Sequence, residues 1–500
     1  MQIESIILGI YIFSLCILFL FASHGYVMTY YYFKTYNKRM ENIDENDLIM
    51  DHYPMVTIQL PLYNERYVIT RLIDAVLRFD YPKEKLEIQI LDDSTDDSTE
   101  IISKHIKKYI DKGYDISHIH RTNRSGFKAG ALKEGLEKIK GEYVAIFDAD
   151  FIPRKKFLKR TLPYFFKDPK IALVQTRWEH LNRDYSIITR TQAIALDGHF
   201  VIEQAVRNRA GFFINFNGTG GIWRKDAIYD AGNWEADTLT EDLDLSYRAQ
   251  LKGWKVKYLV NFTSPAELPS EIISLKSQQF RWTKGAIETM KKLFPRVMKS
   301  DLPVKNKYQS FIHLCSNLAY PFIFIAALLN LPIVLIKETG DYEPIFKFMS
   351  VFTLAFVSSF LFYLYSQKDI YPDWQNRIYY FPVFLAGSMG LSLNNTKAVI
   401  EGLINKKSEF VRTPKFKITG NSDSWKNKKY LTKKISLLTI FELLLSLYCF
   451  AGVVLSIIYA QIASIPFQLM FAFGFGVMSI LSIRQVHLYN KNLKKMKSDA

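Results

Sequence analysis

Cysteine is nearly missing from this chain: Cys16, Cys315 and Cys449 are the only three in 500 residues, and each sits inside an apolar run. That excludes a disulfide framework and a thiolate metal site and leaves three small buried hydrophobes. The nine histidines show no metal-ligand spacing. No internal repeat or long low-complexity tract is present, and the glycines at Gly218, Gly220 and Gly221 lack the strand–turn–helix frame of a dinucleotide fingerprint. Acidic residues are in deficit, 49 Asp and Glu against 65 Lys and Arg, for a net charge of +16. The basic residues gather beside apolar blocks, so the excess reads as a cationic membrane face and not as a nucleic-acid surface.

Apolar residues are abundant, at 49%, and unevenly spread. Ile6 to Tyr32 is almost uncharged and long enough to cross a bilayer. No basic segment precedes it and its apolar core is too long for a signal peptide, so a retained anchor is expected. Four further spans are expected at Phe311 to Ile336, Ile345 to Tyr365, Ile435 to Ala460 and Ile465 to Ile483. Tyr379 to Leu393 is shorter and broken by Pro382, Gly387 and Gly390, and reads as an interfacial or re-entrant helix pair. Lys34, Lys38 and Arg39, the stretch Lys291 to Lys307 and the tail Lys491 to Lys497 are basic, whereas Lys337 to Glu343 is mostly acidic. Five spans place all the basic segments on the cytosolic side. The expected organisation is an anchor and linker over residues 1–50, a cytosolic domain over 51–303 and a membrane domain over 304–500. Only a short basic tail follows the last run, so no further domain is expected there.

The polar domain alternates strand and helix. Met55 to Pro61, Leu86 to Leu91 and Tyr143 to Phe147 read as buried strands; Tyr67 to Arg78, Ser98 to Lys112 and Ala129 to Lys140 read as helices. Short connections between them predict an α/β fold, a mostly parallel sheet flanked by helices. In such sheets ligands lie beyond the carboxyl ends of the strands. Two strands end in acids there. Asp92-Asp93-Ser94-Thr95-Asp96 serves either as a capping loop or as a ligand site. Asp148-Ala149-Asp150 is either a solvated turn or a pair of carboxylates able to reach one hard cation, Mg²⁺ or Mn²⁺. Thr240-Glu241-Asp242 opens a helix expected over Leu243 to Lys252; Thr240 suits a cap, and one of the acids suits a general base. Gln278-Gln279-Phe280-Arg281-Trp282 fits either an amphipathic surface helix or a pair of groups for a diphosphate (Arg281) and a sugar ring (Trp282).

In this order and followed by membrane spans, PLYNER (Pro61 to Arg66), QILDDSTD (Gln89 to Asp96), GFKAGALKEG (Gly126 to Gly135) and YVAIFDADF (Tyr143 to Phe151) form one pattern. ALVQTRW (Ala172 to Trp178), FNGTGGIWR (Phe216 to Arg224), TEDLDLSYRAQLKGW (Thr240 to Trp254) and QQFRW (Gln278 to Trp282) complete it. The pattern resembles the processive inverting glycosyltransferases of family two, the cellulose synthase superfamily, and within it the plant cellulose synthase-like groups A and C. The resemblance implies a GT-A domain and a hexosyltransferase that builds a β-1,4-linked glycan from UDP-glucose or GDP-mannose and translocates it. It implies that Tyr63, Glu65, Asp92, Asp93, Lys128, Asp148, Gln278 and Arg281 contact the donor, that Asp148 and Asp150 hold the metal, and that Asp242 is the base assisted by Arg281. Asn217, Gly218, Thr219, Glu241 and Trp282 would meet the acceptor. Phe410, Thr413 and Lys415 match a gating loop, with a departure at Arg412 where the family has Val. The implied partners are a nucleotide sugar, a polysaccharide acceptor, the lipid bilayer and export subunits, with no nucleic acid. The implied setting is a plasma membrane in a bacterium or a Golgi membrane in a eukaryote. A transferase using a lipid acceptor and a catalytically silent scaffold are the competing expectations.

Overall fold

The computed structural model describes residues 2–37, 50, 52–407, 412–420, 423–425, 428 and 434–498. Seven strands form one sheet: β1 (Val56–Leu62), β2 (Leu86–Asp92), β3 (Asp115–His120), β4 (Tyr143–Ile146), β5 (Ile171–His180), β6 (Gly221–Arg224) and β7 (Lys255–Ala266), ordered β3-β2-β1-β4-β6-β5-β7. The β1–β2, β1–β4, β2–β3 and β5–β7 pairs are parallel. The expected strands β1, β2 and β4 are buried almost throughout, with helices on both faces of the sheet, and therefore read as near-continuous apolar runs. Polar residues inside them pair across the ladder: Thr57 Oγ1 donates to Glu87 Oε2 at 2.6 Å and Gln59 Nε2 to Gln89 Oε1 at 3.1 Å. Both pairs are register partners, so a one-residue slip would bury four polar side chains unsatisfied.

The sheet is mixed. β6 runs antiparallel to both β4 and β5. The chain leaves β5, forms the Ile187–Asp197 helix and a π-helical turn, Gly198–Gln204, and returns through Asn217–Gly221, where Gly218 and Gly220 take positive φ of 78° and 67°. Those left-handed residues reverse the direction.

Among the described residues, five helices are long and apolar enough to cross a membrane: Gln2–Lys34, Val304–Glu338, Glu343–Ile370, Leu437–Ile458 and Ile462–Asn492. Each covers one of the apolar runs read from the sequence. Tyr379 to Leu393 contains the 10-residue helix Phe381–Gly390, followed by Ser392–Leu403. At ~1.5 Å per residue the first is about 15 Å long, half a hydrocarbon core. The long helix Ile272–Lys299 joins the catalytic-type domain to this bundle: Lys276 Nζ meets the buried Glu442 Oε2 at 2.7 Å.

Candidate active site

The carboxyl ends of β1, β2 and β4 share one edge of the sheet, because those strands are mutually parallel. A cavity of about 170 Å³ opens there. Tyr63 and Glu65 follow β1, Asp93 follows β2, and Asp148 and Asp150 follow β4. Lys128 enters from the Phe127–Leu136 helix, Asn217 and Gly218 from the turn before β6, and Glu241 and Asp242 from the first turn of the Glu241–Leu251 helix. Gln278, Arg281 and Trp282 close it from the Ile272–Lys299 helix. That helix sits directly on the Leu239–Asp242 segment at Gly285, where a Cβ would stand 2.6 Å from Thr240 Cγ2 and 2.9 Å from the Leu239 carbonyl carbon. A side chain at that position would push the helix off the Leu239–Thr240 backbone. Thr240 precedes the helix without capping it; its hydroxyl pairs with Thr289 Oγ1 at 3.0 Å.

Two of the expected site residues are not on the cavity wall. Asp92 is fully buried beneath it, where Thr99 Oγ1 (2.7 Å) and the Ser94 amide (2.9 Å) donate to it and His118 Nε2 lies at 3.0 Å. Burial opposes ionisation of Asp92, but these hydrogen bonds outweigh it and hold the carboxyl well below its ordinary range. Consecutive side chains along a strand alternate in direction, so Asp93 points the other way, into the cavity. Both Asp93 oxygens accept from Arg121, at 2.7 and 2.6 Å. Thr219 is the second: it is buried, and its hydroxyl accepts the Asp148 amide at 2.9 Å. Phe410 lies outside the described residues.

The charges inside the cavity are strongly coupled. Lys128 Nζ donates to Asp148 Oδ1 at 2.6 Å and to the Gly218 carbonyl at 2.8 Å, and lies 3.9 Å from Glu241. Burial works against the Lys128 ammonium, yet Asp148, Glu241 and Asp242 keep it protonated above its usual range. Burial, with the Glu241 charge added, pushes the Asp242 carboxyl up to about 7, against Lys128, the Leu243 amide and Arg281. A carboxyl so placed exchanges a proton near neutrality. Gly218 leaves room for it: a Cβ there would fall 3.0 Å from Asp242 Oδ2.

Several wall residues were not singled out from the sequence. The Arg124 guanidinium stacks over the Tyr63 ring at 3.3 Å. His180, at the end of β5, lies 3.0 Å from Asp197 in the following helix. The carboxylate of Glu267, just past β7, accepts the Phe416 amide at 2.9 Å. Residues 412–418 lie across the cavity mouth as an arm. Lys415 Nζ meets Asp150 Oδ2 at 2.6 Å, Thr413 lines the cavity, and Arg412 Nε reaches Glu65 Oε1 at 3.2 Å. Arg412, the departure from the resemblance, is therefore bound to the wall that carries Tyr63.

A hard divalent cation suits one corner. Asp148, Asp150 and Glu65 all supply oxygens to the cavity, and Glu65 Oε2 is buried without a hydrogen-bond partner among the described residues. Burial pushes Glu65 up to about 8; Arg412 and Lys415 oppose the shift and Asp150 and Asp148 add to it. Asp148 and Asp150 are each paired with an ammonium, Lys128 and Lys415, both at 2.6 Å, so a cation arriving with phosphate oxygens would take the place of those two contacts. A second acidic cluster, Glu235, Asp237 and Asp244, lies outside this cavity and holds the Lys292 ammonium at 2.5, 2.8 and 2.9 Å.

Residues 54–285 match the family described as "Glycosyltransferase like family 2". Among curated proteins, the chain is 44% identical over 259 residues to glucomannan 4-beta-mannosyltransferase 9 of Arabidopsis thaliana, covering 51% of this chain and 49% of that protein. It is 36% identical over 361 residues to probable glucomannan 4-beta-mannosyltransferase 3 of Oryza sativa subsp. japonica, covering 70% of this chain and 63% of that protein. The chain thus spans about half the length of the first relative and under two thirds of the second. Among solved structures, the mannosyltransferase PcManGT from Pyrobaculum calidifontis, in complex with GDP-Man and Mn²⁺, superposes with a TM-score of 0.56 at 18% identity, over 80% of this chain and 100% of that one. That likeness establishes a shared GT-A-like fold.

Proposed function

We propose that the chain, whose residues 54–285 match the family described as "Glycosyltransferase like family 2", is a membrane-bound inverting hexosyltransferase that extends a β-1,4-linked glycan from a nucleotide sugar. The observation that carries this reading is the convergence of Asp148, Asp150, Lys128, Asp242 and Arg281 on one cavity beside a bundle of apolar helices. The names of the relatives favour a mannosyl unit, which of the two donors expected from the sequence would be GDP-mannose.

In this reading the base of the donor stacks at Tyr63 and Arg124, near Asp93. Lys128 and Arg281 face the diphosphate and stabilise the negative charge that develops as it leaves. Asp148 and Asp150, with Glu65 beside them, would hold Mg²⁺ or Mn²⁺, which when bound supplies further neutralisation of that diphosphate. An acceptor hydroxyl, positioned by Trp282 and the Asn217–Gly218 turn, attacks the anomeric carbon from the face opposite the nucleotide. Asp242 takes its proton. The new glycosidic bond forms as the bond to the diphosphate breaks, so one displacement inverts the configuration and no covalent enzyme intermediate is needed. Arg412, Thr413 and Lys415 cover the donor and act as a gate. The five apolar helices span the bilayer, the catalytic domain faces the cytosol, and the product leaves through the bundle with export subunits as partners.

The test is to incubate the reconstituted chain with radiolabelled GDP-mannose or UDP-glucose and Mg²⁺ or Mn²⁺. Ethanol-insoluble label is then digested with β-mannanase or β-glucanase, with Asp242→Asn as blank. Insoluble label from one donor, released by the matching enzyme, is expected. Label confined to a lipid extract would replace the polymer with a lipid acceptor.

A further inference from the structure

A second cavity, of about 200 Å³, lies where the catalytic-type domain meets the end of the Glu343–Ile370 helix. Arg183 comes from the turn after β5, Arg190 from the Ile187–Asp197 helix and Arg377 from the short Trp374–Ile378 helix. Against these three guanidiniums the lining holds two carboxylates, Asp184 and Asp373, which leaves one positive charge in excess. Asp184 pairs with Arg183 at 2.5 Å and Asp373 with Arg377 at 2.8 Å. Both acids are more than half exposed at the rim, while the Arg377 side chain is only 13% exposed. The buried Arg377 Nη1 and Arg190 Nε have no hydrogen-bond acceptor among the described residues, and Arg190 Nε stands 3.6 Å from Asp184. Aromatic faces fix the guanidinium planes: Tyr371 under Arg377 at 3.3 Å and Tyr380 under Arg190 at 5.4 Å. Leaving buried charged N–H groups without an acceptor is costly, and several fixed guanidiniums form the geometry that takes the oxygens of a phosphate.

We propose that this pocket binds a phosphate-bearing anion, presented by a phospholipid headgroup or as free phosphate. Its position favours the lipid. It sits at the end of a helix able to cross a membrane, in a segment that carries Tyr371, Trp374 and Tyr379, and Tyr379 is 81% exposed, as an interfacial aromatic belt requires. The pocket is also wired to the catalytic cavity. Gln367, on its wall, donates to Asp197 Oδ2 at 3.2 Å, and Asp197 Oδ1 lies 3.0 Å from His180, which lines that cavity. A bound headgroup would seat the Ile187–Asp197 helix against the membrane and so hold the His180 wall of the catalytic cavity in place.

The test uses the full chain in neutral detergent, offered phosphatidylcholine, phosphatidylinositol or phosphatidylglycerol, with and without inorganic phosphate, and read by native mass spectrometry. Retention of the anionic phospholipids over phosphatidylcholine is expected, falling about tenfold in the Arg183→Gln/Arg377→Gln variant, as the loss of charge-assisted hydrogen bonds predicts. Asp373→Asn, which removes a competing carboxylate at the exposed rim, should retain more lipid than the native chain. Lipid retention that inorganic phosphate does not displace assigns the headgroup; a phosphate adduct without lipid preference assigns free phosphate. Equal retention of anionic and neutral lipid with no phosphate adduct, or arginine and Asp373 variants that both match the native chain, overturns the pocket. Should the arginine variant fail to fold, the Asp373→Asn gain decides alone.

Discussion

The Ile272–Lys299 helix carries buried charge to two regions, and the regions use it differently. At its cavity face, Arg281 joins a shared network in which Lys128 serves Asp148, the Gly218 carbonyl and Glu241 together. At its bundle face, the Lys276 ammonium has one carboxylate partner among the described residues, Glu442, whose side chain is wholly buried. Shared charges can be rearranged by an arriving donor at little cost, because each keeps a partner. A sole pair in an apolar bundle cannot. The cavity's polarity is therefore read as function and the bundle's as construction.

The largest effect should come from the cavity. Asp242→Asn should lower kcat by ~10²–10⁴, the usual worth of a general base, with the fold retained in circular dichroism; steady-state label incorporation checks it. Next is the bundle. Glu442→Leu alone leaves Lys276 buried and unpaired and should cost about 3–5 kcal/mol of stability, seen in denaturant unfolding. Adding Lys276→Met should restore most of it. A double variant as unstable as the single one would mean the bundle pair is not isolated.

A pH effect of intermediate size follows from Asp242, whose carboxyl is raised to about 7. In the proposed mechanism the deprotonated form is the base, so kcat should climb as pH rises through about 7 and then level. Stability has the opposite sign. A carboxyl raised above its unfolded value favours the fold while protonated, and that contribution is lost as pH rises through about 7. The native chain should therefore lose stability relative to Asp242→Asn as pH rises from the ordinary carboxylate range to about 7, and lose no more above it. The smallest effect is at the arm. Lys415→Gln removes an ammonium 2.6 Å from Asp150, so half-saturation by Mn²⁺ should fall severalfold while the donor KM rises. A change in neither would separate the arm from the cavity.

How much of this was legible depends on whether local pattern or long-range contact decided each feature. Asp148 and Asp150 could be read because they follow a buried strand, and the apolar helices because length and hydropathy suffice. Asp92 and Asp93 were read alike, although alternation along β2 already separates a carboxylate facing inward from one facing the cavity. The antiparallel β6 has only four residues, too few to show direction. Glu267 enters the wall through Phe416, 149 residues on, and His180 through Asp197 in the next helix, pairings that no local motif announces.

The first helix is held by residues made much later in synthesis. Ser5 pairs with Tyr342 and Tyr32 with Asp369, each 337 residues apart. At ribosomal speeds of ~5–20 residues per second, the wait is roughly 20 to 70 s. For part of that time Ser14 and His24, buried in the finished bundle, stand without all the helices that cover them. Assembly of this bundle should thus be paced by the arrival of the Glu343–Ile370 helix, and slowing translation before residue 340 should leave the first helix open to quality control for longer.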